Sequence, residues 1–323
     1  LLRLLFVATA LTATAHAASL DAPPLGLTLE NLSPLVKNAE YAVRGRLLSR
    51  AVELAADGRD IVRCNIGNPQ ALGQRPLTWI RQILALSVNP DLLTAAEAAH
   101  AAGGADAPLV ALFPADVVAR ARAYVDACRS VGAYSDSQGV KIVREQVAAS
   151  LEQRDGCPME PSDIFITDGA SAGVKLMMQC LLATPGVDAI LSPLPVYPLY
   201  SAMTTLLNGA PAGYPLHEDA ETGAWSVRLA DLEAALADAR ARGLVVRALV
   251  IINPGNPTGQ CMSADEVRDV LAFAAREGLV LLADEVYQDN VYNAPDKPHE
   301  RAFCSFRRAL AQMRVEAPEL AER

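Results

Sequence analysis

Ala248-Leu249-Val250-Ile251-Ile252 runs directly into Asn253-Pro254-Gly255-Asn256-Pro257-Thr258-Gly259. An unbroken apolar run bounded by turn residues predicts a strand buried on both faces, as in a parallel sheet. Two prolines and two glycines end the ladder and force a loop. Ser263 with Glu266 three residues on is the capping-box signature of a helix start. The order is strand, polar loop, helix. In open α/β sheets such a loop, at the carboxyl end of a strand, is where ligands bind. An ordinary βα turn would carry much the same residues.

The next unit sharpens that choice. Leu279-Val280-Leu281-Leu282-Ala283 is a second strand of the buried type, and it ends in Asp284-Glu285-Val286-Tyr287. One helix and one strand separate Asn256 from Asp284, which places both at carboxyl ends of neighbouring strands on one rim. A carboxylate that follows five apolar residues is partly buried and needs a cationic or hydrogen-bonding partner. A protonated ring nitrogen of a cofactor is one such partner.

With these stretches the chain resembles the fold-type I, pyridoxal-phosphate-dependent aminotransferases. Tyr41-Ala42-Val43-Arg44-Gly45, Asn65 through Pro76, Pro193 through Tyr200 and Asp284 through Tyr292 narrow the resemblance to the alanine aminotransferase branch. It runs from about Leu29 to about Leu310. It implies an α/β fold: a mostly parallel sheet covered by helices on both faces as a large domain, with an incomplete small domain. The expected division is residues 1–19 as leader, 20–75 as arm and part of the small domain, and 76–323 as the large cofactor domain.

The 323 residues are 51% hydrophobic and 20% charged, a globular balance. A net charge of −9 without a basic stripe argues against nucleic acid. Cys64, Cys128, Cys157, Cys180, Cys261 and Cys304 have no paired spacing and no histidine at ligand spacing. They read as dispersed reduced thiols, not a disulfide framework or zinc site. Leu1 to about Ser19 holds Arg3, no acid, and an apolar core, Leu4 to Leu11, too short to span a membrane. It reads as a targeting leader. Ala15-His16-Ala17 suits secretory cleavage, while the absence of acids suits organelle transit. The resemblance implies a cytoplasmic or mitochondrial enzyme.

In chain order, the pattern predicts a helix over 39–56 and a short strand over 60–66. A helix starts from Pro76, where proline suits the first turn. An Ala/Gly-rich surface loop follows over 95–112, then helices over 114–129 and 137–154. Strands are expected at 164–167, 189–191, 212–216, 244–252 and 279–283, separated by helices, which is the alternation of a parallel sheet.

Several residues gain roles only through the resemblance. Asp284 would keep the pyridine nitrogen protonated. Asn256 and Tyr287 would bond the ring's phenolic oxygen, and Tyr197 would lie against the ring. Gly169-Ala170-Ser171 opens a helix after a strand, an anion-binding arrangement common to many βα turns. In the family it holds the phosphate, by the Ala170 and Ser171 amides. Tyr134 would reach the phosphate of a neighbouring subunit, and Gly67 would lie against the substrate carboxylate. Taken alone, Tyr134, Tyr197 and Gly67 read equally well as packing and turn residues.

The implied reaction is transamination of L-alanine and 2-oxoglutarate to pyruvate and L-glutamate by a homodimer. It needs a Schiff-base lysine in a Ser-x-Ser-Lys-Gly type segment. None of Lys37, Lys141, Lys175 and Lys297 stands in one. The lysine is therefore expected beyond Arg323, and the chain as it stands is expected to be incomplete and inactive. Another fold-type I aminotransferase and a non-catalytic cofactor- or partner-binding remnant are the alternatives.

Overall fold

The computed structural model describes residues 28, 31–41, 45–63, 67–103, 108–129, 131–132, 134–292 and 302–316. Helices α1 (Pro34–Asn38) and α2 (Arg46–Ala56) come first, then α3 (Thr78–Val88), α4 (Pro90–Ala101), α5 (Pro108–Leu112), α6 (Ala115–Cys128) and α7 (Lys141–Asp155). From α8 (Ala170–Leu181) the alternation begins. It continues through β1 (Asp188–Leu194), α9 (Leu199–Leu206), β2 (Ala210–Pro215), the short β3 (His217–Glu218) and β4 (Trp225–Ser226), α10 (Leu229–Ala241), β5 (Val245–Ile252), α11 (Ala264–Glu277) and β6 (Val280–Asp284) to α12 (Phe306–Glu316).

The main sheet has the order β2-β1-β5-β6, and all its pairings are parallel. Side chains alternate across it, and both faces are covered. Leu191, Leu249 and Ile251 pack with α10, α11 and α12 through Leu232, Leu236, Val267, Phe273 and Met313. Ile190, Ala248, Val250 and Ile252 pack with Met178 of α8 and Tyr200 of α9. Two-faced burial is why these strands read as continuous apolar runs. At roughly 1.5–3 kcal/mol for each fully buried large aliphatic or aromatic side chain, the two layers hold the sheet together. The register pairs Ile252 with Asp284, so the ends of β5 and β6 share one rim.

Helix α11 starts as expected. The Ser263 side chain accepts from the Glu266 amide at 3.2 Å, and Glu266 accepts from the Ser263 amide at 2.7 Å. Gly278, at φ 67°, ends it in the left-handed conformation.

Four expectations need correction. Within 95–112, residues 95–101 continue α4 and residues 108–112 form α5, so neither part is a surface loop; residues 104–107 lie outside the described residues. Asn89 caps α4 by accepting from the Leu92 amide at 3.1 Å. Leu93 and Ala96 are buried against Leu86 of α3 and Val117 and Ala121 of α6. Alanine is the best helix former, and that outweighs the loop reading. Residues 164–167 are extended but join no sheet. The Ile166 amide donates to the Gln138 carbonyl at 2.8 Å instead. There the chain passes so close to Gly139 (φ 102°) that a Cβ would meet the Ile166 side chain at 2.6 Å. Residues 60–63 also form no strand, with Val62 83% exposed; Cys64 to Ile66 lie outside the described residues. The helix expected over 39–56 covers only Arg46–Ala56, with Gly45 as its N-cap, since glycine suits a terminus better than an interior. Residues 1–27 lie outside the described residues, and so does the expected leader. No helix among the described residues is long and apolar enough to cross a membrane.

Candidate active site

A cleft of about 230 Å³ opens at the carboxyl rim of the sheet. Ala170, Ser171, Tyr197, Asn256, Asp284 and Tyr287 all line it, together with Leu199, Ile252 and Val286. Six residues named from the sequence therefore meet in one place. They come from four places: the start of α8, the segment after β1, the loop after β5 and the end of β6, and the parallel sheet carries the last three to the same side.

The loop after β5 is fixed from within. Asn253 is fully buried; its side-chain oxygen accepts from the Met262 amide at 2.9 Å, and its side-chain nitrogen donates to the Cys304 carbonyl at 3.4 Å. Gly255 sits inside this loop, where a Cβ would meet the Thr258 hydroxyl at 2.6 Å. The loop presents Asn256, whose side-chain nitrogen donates to the Tyr287 hydroxyl oxygen at 3.3 Å. The Tyr287 proton and the second Asn256 N–H are then left as donors at the cleft, a pair that suits an oxygen acceptor.

Asp284 closes β6. Its Oδ2 accepts from the Tyr200 hydroxyl at 2.8 Å, and its Oδ1 accepts from the Val286 amide at 3.2 Å. None of the ion pairs among the described residues involves Asp284. A carboxylate with two neutral donors retains acceptor capacity for a cationic N–H. Burial, reinforced by the Asp284 charge, pushes the Tyr200 phenol far above its usual range, so Tyr200 remains a donor.

Tyr197 lines the same cleft, half-buried, three residues before Tyr200. Its hydroxyl hydrogen-bonds that of Tyr41, and the two rings meet edge to face with centroids 6.1 Å apart. That bond and burial push the Tyr197 phenol up to about 12, so it stays neutral. Opposite, α8 begins at Gly169, whose φ of 76° turns the chain into the helix. No side chain caps this end, and its first turn holds no acidic residue. Its free amides and positive dipole end suit a phosphate.

Two expected residues stand apart. Tyr134, at φ 68°, is fully exposed and does not line this cleft. Gly67 is exposed and does not line it either. Three residues stood in the quoted motifs without a role of their own: Tyr200, Tyr41 and Asn253. A tyrosine in the first turn of an apolar helix was a usable signal for Tyr200, because a buried phenol usually finds a partner.

The family model for aminotransferase class I and II matches residues 106–316. The chain belongs to this family. Glutamate–glyoxylate aminotransferase 1 of Arabidopsis thaliana is 46% identical over 289 residues, which are 89% of this chain and 56% of that protein. The mitochondrial alanine aminotransferase 1 of the same plant is 45% identical over 308 residues, 92% of this chain and 53% of that one. Human alanine aminotransferase 1 is 42% identical over 300 residues, 89% and 56% of the two chains. The chain thus spans about half the length of the curated relatives it matches. Among solved structures, an Escherichia coli aminotransferase superposes with a TM-score of 0.56 at 23% identity, covering 85% of this chain and 54% of that one. The alanine aminotransferase of Pyrococcus furiosus superposes equally well, 0.56 at 22% identity, over 84% and 55%. At these identities the two superpositions establish the fold.

The family cofactor is pyridoxal phosphate, and the donor set fits it. The cleft offers an uncapped helix start for a phosphate, a carboxylate without a cation for a pyridinium, and an amide and a phenol for the ring oxygen.

Proposed function

We propose that this chain is the cofactor-holding part of an alanine aminotransferase, which passes the amino group of L-alanine to 2-oxoglutarate and yields pyruvate and L-glutamate. The observation that carries the reading is the meeting of Asp284, Asn256, Tyr287, Tyr197 and the α8 amino end around one cleft. When bound, pyridoxal phosphate supplies an electron sink for the pair released as the amino-acid Cα loses its proton. Asp284 would accept the ring N–H, and its full negative charge would keep that proton in place. Asn256 and Tyr287 would donate to the phenolic oxygen, Tyr197 would exclude water from one ring face, and the Ala170 and Ser171 amides would hold the phosphate.

The reading also includes a homodimer, in which Tyr134 serves the neighbouring subunit, and a lysine outside these 323 residues. Lys37, Lys141 and Lys175 do not line this cleft, and Lys297 lies outside the described residues. The test is direct: add pyridoxal phosphate to the chain, reduce with borohydride, and look for a pyridoxyl-lysine by mass spectrometry. No stoichiometric adduct and no alanine-dependent pyruvate are expected from this chain, whereas a chain extended to the length of its relatives gains both. An adduct on one of the four lysines, with pyruvate formed, would overturn the account.

A second reading has its own support. The similarity to glutamate–glyoxylate aminotransferase 1, at 46%, matches that to the alanine enzymes, at 45%. Glyoxylate would then be the amino acceptor. Comparing kcat/KM for glyoxylate and 2-oxoglutarate in the extended chain decides between them.

A further inference from the structure

We propose that Tyr200 is a positioning residue for Asp284: its buried hydroxyl clamps one carboxylate oxygen and thereby sets how the carboxylate meets a pyridinium ring. The inference rests on the reading above, in which Asp284 faces the cofactor nitrogen.

The geometry is specific. Tyr200 is 0% exposed, packed with Met178, Ile190 and Val250 under the sheet. Its hydroxyl donates to Asp284 Oδ2 at 2.8 Å. A buried phenol without an acceptor carries the full desolvation cost of its O–H, so the carboxylate cannot turn away without orphaning it. The Val286 amide holds Oδ1 at 3.2 Å. Between them the two donors fix the plane of a carboxylate that otherwise rotates about a soft sp³–sp² torsion.

The same short segment carries a second contact. Tyr197 lines the cleft and Tyr200 lies one turn along, with its amide donating to the Tyr197 carbonyl at 3.3 Å. Thr204, one helical turn on, donates its hydroxyl to the Tyr200 carbonyl at 2.9 Å. The residue against the ring face and the residue behind the ring-nitrogen partner are therefore set by one rigid turn. A purely structural phenol would need an acceptor too, but it would have no reason to take the single carboxylate aimed at the cofactor.

The test uses pyridoxamine 5′-phosphate, which needs no lysine, and its 1-deaza analogue, in which CH replaces the ring nitrogen. The unmodified 323-residue chain should bind the natural ring more tightly than the deaza ring. In Tyr200→Phe that preference should fall by about tenfold, the effect of losing one oriented hydrogen bond, with the deaza affinity unchanged. In Asp284→Asn the preference should vanish, and adding Tyr200→Phe should change nothing further. Equal weakening of both ligands by Tyr200→Phe marks a structural role and overturns the proposal, as does an undiminished preference. An unmodified chain without any preference removes Asp284 from the ring nitrogen, and the proposal falls with that reading. A second measurement needs no variant. With tyrosine labelled at Cζ, the Tyr200 resonance should move on binding pyridoxamine phosphate and stay put with the deaza analogue; identical responses to the two rings would also overturn it.

Discussion

Two aspartates sit at opposite rims of one sheet and have opposite surroundings. Asp188 opens β1 at the amino rim, with no exposed surface. It accepts from the Ala183 and Thr184 amides at 2.9 and 2.7 Å and from the Arg247 guanidinium at 2.8 Å. Asp284 ends β6 at the carboxyl rim, half-buried, with two neutral donors and a cleft beside it. The Thr184 amide, against the opposing cost of burial and with help from Arg247, holds the Asp188 carboxyl below its usual range. Asp188 spends its acceptor capacity on the protein, whereas Asp284 keeps part of it for something else. The difference separates a residue that holds the fold from one that the proposed function assigns to a ligand, and burial alone would not have distinguished them.

The comparison predicts opposite variant behaviour, and the largest effect belongs to Asp284. In a chain extended to the length of its relatives, Asp284→Ala should lower turnover by on the order of 10²–10³-fold, the usual loss when a preorganised charge is removed from a reacting centre. Asp284→Ala also orphans the buried Tyr200 hydroxyl and should cost about 1–3 kcal/mol of stability, whereas Asp284→Asn keeps an acceptor for it and should hold the unfolding midpoint while still losing turnover. Near-normal turnover would take Asp284 out of the site altogether.

Next comes the reverse case. Asp188→Ala strands two backbone amides and should cost on the order of 3 kcal/mol in urea unfolding. Arg247 is 45% exposed, so water screens its lost pairing and the amides dominate. Pyridoxamine phosphate affinity should survive in the fraction that folds. A selective loss of ligand binding with unchanged stability would erase the contrast between the rims.

How much of this contrast was legible in the sequence depends on the range of each signal. β1 and β5 were legible because burial on both faces leaves an unbroken apolar run, and β6, an edge strand, because Leu281 and Leu282 still pack partly buried against the two opposite layers. Asp284 stood out because it directly follows such a run; Asn256 and Tyr287 lie a few residues beyond one and were singled out through the family resemblance. The 164–167 strand was overread: an apolar, β-branched run licenses an extended chain, but pairing needs a neighbour, and its amide goes to Gln138. Tyr200 and Asp284 are 84 residues apart, and no local periodicity encodes a contact of that kind. Asn253 was hidden for the same reason, since its partners Met262 and Cys304 are defined only once the chain has folded.

Acid should act on the structural aspartates first. Asp155, at the end of α7, is raised by burial, but hydrogen bonds from Arg154, Ser305 and Arg307 outweigh that and leave it below its usual range. Asp155 and Asp188 are both depressed in the folded state. Their stabilisation is therefore complete above the ordinary carboxylate pKa of about 4 and is lost as pH falls through the folded values. The urea midpoint should hold from pH 7 down to about 5 and drop below about 4. An Asp155→Asn chain should start lower and lose less on acidification; a parallel pH curve would mean that Asp155 is not the group being titrated.

The smallest effect sharpens the comparison most, because it concerns the residue beside Asp284. Glu285 follows β6 directly, with its side chain 16% exposed. Its Oε1 accepts from the Phe306 amide at 2.8 Å, which caps α12, and its Oε2 lies 3.5 Å from Arg154. Burial raises its carboxyl above the usual range; the Phe306 amide and Arg154 pull the other way without prevailing. A carboxyl raised in the folded state contributes stability that is fully present below the unfolded pKa of about 4.3 and is lost as pH rises through the folded value. Its sign is thus the reverse of that for Asp155, although Arg154 touches both. Glu285→Gln keeps an oxygen for the Phe306 amide and removes only the charge. The variant should lie within about 1 kcal/mol of the parent at pH 7, since a lost hydrogen bond to Arg154 and a relieved buried charge nearly cancel. Relative to the parent, it should gain as pH rises from 4 to 7. Urea unfolding of both proteins at the two pH values measures this. A variant that loses ground over that interval would show that Arg154 governs Glu285 after all, and the carboxylate next to Asp284 would then belong with Asp188 as part of the frame.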